Sequence, residues 1–360
     1  MSFIDLHAEK FLLQYLNNSS PTGYESSGQK IWLDYLKPYV NEWHLDHYGT
    51  AYGVVNPGKN FKVVIEAHAD EISWFVNYIS DDGFIYVVRN GGSDHLIAPS
   101  KRVNIYTDQG IVKGVFGWPA IHTRRGEDAA KLVPKMENIF IDVGAKDKEE
   151  VTNMGIHVGC VITFEDEVIK LNNKFYCGRA LDNRMGGFCI AEVARKLSES
   201  STELPYSLYI VNAVQEEVGL RGAEMIARNI SPDVAIVTDV THDTGTPLVN
   251  AKIHGDTKCG NGPSLTYAPA VHNTLLKLIQ EAADRENIPF QREASSRSTG
   301  TDTDAFAYSN KGVPSALISL PLRYMHTTVE MAHIADVENV IKLIIASLKS
   351  IENQHNFKYF

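Results

Sequence analysis

The chain has 360 residues, too many for one ordinary domain and suited to two, and its 44% hydrophobic content can build a sizeable core. A formal net charge of -10 with no basic stripe argues against a nucleic-acid binder. The four scattered cysteines (Cys160, Cys177, Cys189, Cys259) argue against a zinc ribbon or disulfide framework and for a reducing, cytoplasmic setting, and no apolar run is long enough to span a membrane.

The opening MSFIDLHAEKFLLQYL mixes acids with apolar residues and predicts an amphipathic helix ending near Asn17, not a signal peptide. SSPTG reads as a turn and a new N-cap, with helix over 29–40. The β-branched run FKVVIEA at 61–67 predicts a buried strand. From about residue 74 to 165 the texture changes to short alternating stretches (FIYVV, GIVKGVFG, CVITF) cut by Gly, Asp and Pro, which predicts a small barrel or sandwich. Helical periodicity returns at 181–197. Strands at 207–214, 234–237 and 315–319 then alternate with helices at 220–228, 272–286 and 337–354. That alternation implies an α/β fold, a mostly parallel sheet flanked by helices. The expected organisation is a discontinuous α/β domain, 1–72 and 166–360, with a β-rich domain of residues 73–165 inserted into it.

Metal-binding residue types fall just past several predicted strands. His68 and Asp70 follow FKVVIEA, Glu216 and Glu217 follow SLYIVNAVQ, and Asp239 follows VAIVT. Open α/β sheets bind ligands at that edge. In His68-Ala69-Asp70, a neutral imidazole can bind a metal through one nitrogen while a nearby carboxylate takes the proton of the other. It can also be a satisfied core histidine beside a surface acid. Glu216-Glu217 repel each other unless each has a separate task; the plainer alternative is a solvated acidic turn. Asp182 in GRALDNRMGG is a carboxylate able to bridge two metals or simply an N-cap. Asp239 in VTDVTHDT is a strand-end ligand or a turn cap. His326 in PLRYMHTTVEMAH is the last candidate, and His333 lies close enough to be mistaken for it.

Taken in order, HAD, GRALDNR, VQEEVGLRGA, VTDVTHDT and RYMHTTVE closely resemble the tetrahedral and glutamyl aminopeptidase family, which belongs to the co-catalytic zinc exopeptidases. The resemblance runs from about Pro21 to the C-terminal helix. It implies an aminopeptidase acting on short peptides with two divalent ions per subunit, zinc first, cobalt or manganese tolerated. His68 and Asp239 would hold one ion, Glu217 and His326 the other, and Asp182 would bridge them. Asp70 would orient His68, and Glu216 would be the general base. The resemblance also implies a PDZ-like inserted domain, a cis peptide bond after Asp182, and homo-oligomers from dimers to dodecamers. Competing expectations are a glycoside hydrolase of endoglucanase type using a carboxylate pair, and a carboxypeptidase or deacylase on the same fold. Arg323 and the loop 300–304 are candidates for the substrate pocket; an arginine there either selects acidic side chains or forms a structural ion pair.

Overall fold

The run KVVIEAH forms the strand Lys62–His68, buried from Val63 onward. It lies parallel to Ser207–Ala213 on one side and to Val234–His242 on the other, and Val234–His242 is parallel in turn to Ser315–Arg323. These four strands are the centre of an 11-stranded sheet in a computed structural model that describes residues 3–124 and 132–360. Burial on both faces is why they read as near-continuous apolar runs. Antiparallel strands extend the sheet at both flanks: Ala51–Val55 and then Glu42–Leu45 on one side, and Glu330–His333, Phe175–Gly178 and Ile169–Leu171 on the other.

Two central strands run further than their sequence pattern predicts, to His242 and Arg323 instead of 237 and 319. The polar residues Thr238, Asp239 and Thr241 look like a turn, but they stay in register with Ile318, Ser319 and Pro321. Pro321 is tolerated because of where it falls. Ser264–Tyr267 pairs at Ile318 and Ser319, and Glu330–His333 pairs at Leu322 and Arg323, leaving Pro321 in the gap between them.

Helix Leu181–Glu199 packs on Lys62–His68 and Val234–His242. It is covered by Leu6–Asn17, Ser26–Leu36 and Ile334–Ser350. The second helix ends earlier than expected, at Leu36, where Pro38 starts a 3₁₀ turn over Lys37–Tyr39. A second group, Arg221–Ile230 and Asp302–Ala307, packs together against the central strands. Among the described residues no helix is long and apolar enough to cross a membrane.

The β-rich segment closes into a six-stranded antiparallel barrel whose strands span Ser73–Ile79 to Val161–Phe164. It has its own core, in which Trp74 meets Phe116 and Phe164 edge-on. Among the described residues a short α-helix, Lys148–Asn153, and a 3₁₀ turn, Ile121–Thr123, interrupt it.

Candidate active site

Four segments converge at the carboxyl edge of the parallel strands. His68 is the last residue of Lys62–His68, and Asp239 sits within the extended end of Val234–His242. Glu216 and Glu217 follow Ser207–Ala213, and His326 follows Ser315–Arg323. Asp182 arrives on the first turn of Leu181–Glu199, with a non-helical ψ of 112° and a cis peptide bond to Asn183, in line with the resemblance. The backbone bends sharply around these positions. Ala180, Gln215, Leu220, Tyr324 and His326 all take φ of 57–61°, a left-handed conformation that costs a non-glycine residue about 1 kcal/mol or more.

Asp182 faces both imidazoles. Its Oδ1 lies 3.2 Å from Nε2 of His68 and its Oδ2 3.3 Å from Nε2 of His326. Asp239 Oδ1 stands 3.8 Å from His68 Nε2, and Glu217 Oε1 3.5 Å from His326 Nε2. The donor atoms thus form three overlapping groups, His68–Asp182–Asp239, Asp182–Glu217–His326 and His68–Glu216–Glu217, each with all atoms within 4.8 Å of one another; Glu216 Oε2 stands 3.8 Å from His68 Nε2. Each group can hold a divalent ion, and the set of imidazole nitrogens and carboxylate oxygens suits one. Asp182 is therefore no helix cap: it belongs to two of the three groups and links the two imidazoles.

The electrostatics without a cation are unfavourable. Burial raises Glu216 to about 10 and Asp239 to about 7, and it raises Glu217 as well, with neighbouring acids adding to each shift. Burial alone would lower His326, yet its contacts with Asp182 and Glu217 hold it up at about 11. His68 is likewise held well above the ordinary range, against its burial, by Glu216, Asp182 and Asp70. So much like charge out of water is stable only when protons or a cation neutralise it.

Two further carboxylates position the cluster. Asp70 lies 3.4 Å from His68 Nδ1 through Oδ1, longer than a good hydrogen bond. It accepts better ones from the Glu216 N–H (3.0 Å) and the Thr22 hydroxyl (2.9 Å), and also one from the Glu217 N–H (3.2 Å). Asp70 thus anchors the acid pair at least as firmly as it orients the imidazole. Glu330 has the matching task on the other side. Its Oε2 accepts from the N–H groups of Leu181 and Asp182, and its Oε1 from the N–H of His326 at 2.7 Å. The sequence pattern gives no sign of this, because a carboxylate that receives backbone amides has no partner residue type to reveal it.

A cavity of about 660 Å³ opens beside the cluster. Of the expected loop, Gly300, Thr301 and Asp304 line it; Asp302 and Thr303 do not, because they are buried in the short helix Asp302–Ala307. Arg323 does not: its Nε donates to Oδ2 of buried Asp243 at 2.5 Å, and its guanidinium lies over Phe175. His333 is elsewhere, capping helix Ile334–Ser350 by accepting from the Ala335 N–H.

Residues 49–343 match the M42 glutamyl aminopeptidase family. The chain belongs to that family. It is 34% identical to the lysyl aminopeptidase of Pyrococcus furiosus over 95% of this chain and 97% of the relative. Its fold superposes on the TET aminopeptidase of the marine sediment archaeon Thaumarchaeota archaeon SCGC AB-539-E09 with a TM-score of 0.90 at 28% identity, covering 95% and 96% of the two chains. The Pyrococcus horikoshii TET1 peptidase, able to assemble into a tetrahedron or a large octahedral shell, gives a TM-score of 0.82 at 26% identity over 94% and 98%. This M42 member is a hydrolase of the aminopeptidase kind, with a mixed α/β fold and a small antiparallel barrel.

Proposed function

We propose that the chain is a dinuclear metal-dependent aminopeptidase that removes N-terminal residues from short peptides. The observation that carries this reading is Asp182, whose two oxygens face two separate imidazoles at 3.2 and 3.3 Å. His68 and Asp239 would hold one ion, Glu217 and His326 the other, and Asp182 both. Zinc is first choice, with cobalt or manganese tolerated by the carboxylate-rich set. Two bound ions would supply an acidified water and a polarised scissile carbonyl.

Glu216 would take the water's proton and return it to the leaving amine. Its side chain is 10% exposed and its backbone N–H is fixed by Asp70, so it meets the cavity from a set position. Glu217, its neighbour, reaches His326 at 3.5 Å, while Glu216 Oε2 stands 3.8 Å from His68 Nε2. An endoglucanase reading draws no support from the cavity, whose lining, among the described residues, contains no Trp, Tyr or Phe on which a sugar would stack. The assembly of the horikoshii TET1 peptidase supports a homo-oligomer.

Dialysis against a chelator should abolish release of the first residue from a short peptide, and zinc, cobalt or manganese should restore it. An N-acetylated copy of the peptide should resist cleavage. Full activity in metal-stripped protein would sink the metal assignment, and cleavage of the acetylated copy from its other end would favour a carboxypeptidase.

A further inference from the structure

The cavity continues past the acid–imidazole cluster along the segment 298–301 and Asp304. Asp304 belongs to none of the ion-holding groups and, among the described residues, is the only carboxylate of the lining outside the cluster. Its Oδ2 accepts from the N–H groups of Thr299 (2.9 Å) and Gly300 (3.2 Å), which fixes the side chain. Its Oδ1 receives no hydrogen bond from the described residues and is shielded from bulk water. A carboxylate oxygen left without a donor is costly, and a charged donor arriving with a ligand removes that cost.

We propose that Asp304 reads the side chain of the substrate's N-terminal residue, and that the residue it takes is basic, lysine or arginine. This rests on the aminopeptidase reading and deepens it. Among the described residues no lysine or arginine lines the cavity, so nothing there receives an acidic side chain. Arg323 is bound to Asp243 and lies outside the lining, and so do Arg221 and Arg297, the sequence neighbours of lining residues Leu220 and Ser298. Two divalent ions would balance the four carboxylates Asp182, Glu216, Glu217 and Asp239, leaving the charge of Asp304 for the substrate. Leu220, Val240 and Met325 are the apolar part of the lining, suited to the methylene stem of a long basic side chain, and Ser298, Thr299 and Thr301 line the same cavity.

The test is a panel of lysyl, norleucyl and glutamyl p-nitroanilides on the metal-loaded protein and on Asp304→Asn. Norleucine has lysine's stem without its ammonium. Asparagine keeps a carbonyl for the Thr299 and Gly300 amides, so the loop should fold. Wild-type protein should prefer the lysyl substrate. Asp304→Asn should lower the lysyl-to-norleucyl ratio of kcat/KM by about ten- to a hundredfold, the worth of one hydrogen bond to a charged group. Calorimetric titration with free lysine and free norleucine should show the same discrimination without turnover, and it keeps the idea testable if the variant is unstable. Equal cleavage of all three substrates by wild-type protein, or an unchanged ratio in Asp304→Asn, would overturn the Asp304 assignment alone. No cleavage of any member of the panel would overturn the aminopeptidase reading and this one with it.

Discussion

The main sheet and the barrel meet at the same cavity but contribute different things. Every titratable group of the cluster comes from the main sheet, its helices or its loops. The barrel brings backbone: of its described residues only Gly92 lines the cavity. A β-carbon on Gly92 would stand 2.6 Å from Nδ1 of His326, and one on Gly91 3.2 Å from Cβ of Glu217. A parallel sheet aims several strand ends at one point, so it can gather charged groups from distant parts of the chain. A closed barrel has no such edge, and here it acts as a wall that sets how much room the imidazole has.

The largest break in that comparison should come from the sheet side. Glu216→Gln should lose about 10²–10⁴-fold in kcat while retaining both ions, since the amide keeps the shape but accepts no proton at neutral pH. Metal analysis of Glu216→Gln beside Glu217→Gln decides the roles; if Glu216→Gln loses as much metal as Glu217→Gln, the two assignments are swapped. Glu330→Gln should come next. Its amide cannot accept from Leu181, Asp182 and His326 together, and metal affinity should fall by about 10–100-fold, read by competition with a chelator. Unchanged affinity would mean that Glu330 only closes the loop. The barrel should give the smallest effect. Gly92→Ala must displace the His326 ring, and kcat/KM should drop roughly tenfold, less than the ~10²-fold that a 1 Å misplacement can cost. A Gly92→Ala protein as active as wild type would show that the wall yields freely.

The same division governs what can be read from the amino-acid sequence. The central strands are legible because burial on both faces leaves an apolar run, as in Lys62–His68. Where such a strand turns polar to carry function the pattern breaks, so Val234–His242 reads as ending before Asp239, the residue it delivers. Glu42–Leu45 is exposed along its whole length and has no burial pattern to find. Helix Asp302–Ala307 is too short to show a period. Within the site, His68, Asp182, Glu216, Glu217, Asp239 and His326 are recognisable by residue type and order, and the structure brings them together. Asp304 is legible only as part of the 300–304 loop, and Glu330 escapes notice because it acts through backbone amides, of His326 nearby and of Leu181 and Asp182 far away in sequence.

One feature of the main sheet bears on how such a chain can change over generations. The segment between Ser315–Arg323 and Glu330–His333 makes two left-handed turns, at Tyr324 and His326, and is closed by the bond from the His326 N–H to Glu330. Its span is therefore fixed at both ends by the pairing of the two strands, and in the middle by a side chain four residues from the amide it holds. Exposed Val329 can be exchanged within it at little cost. Adding or deleting one residue would swing the imidazole off Asp182 and break the loop's own clasp. Lineages of this chain should accept spelling changes here and refuse changes of length.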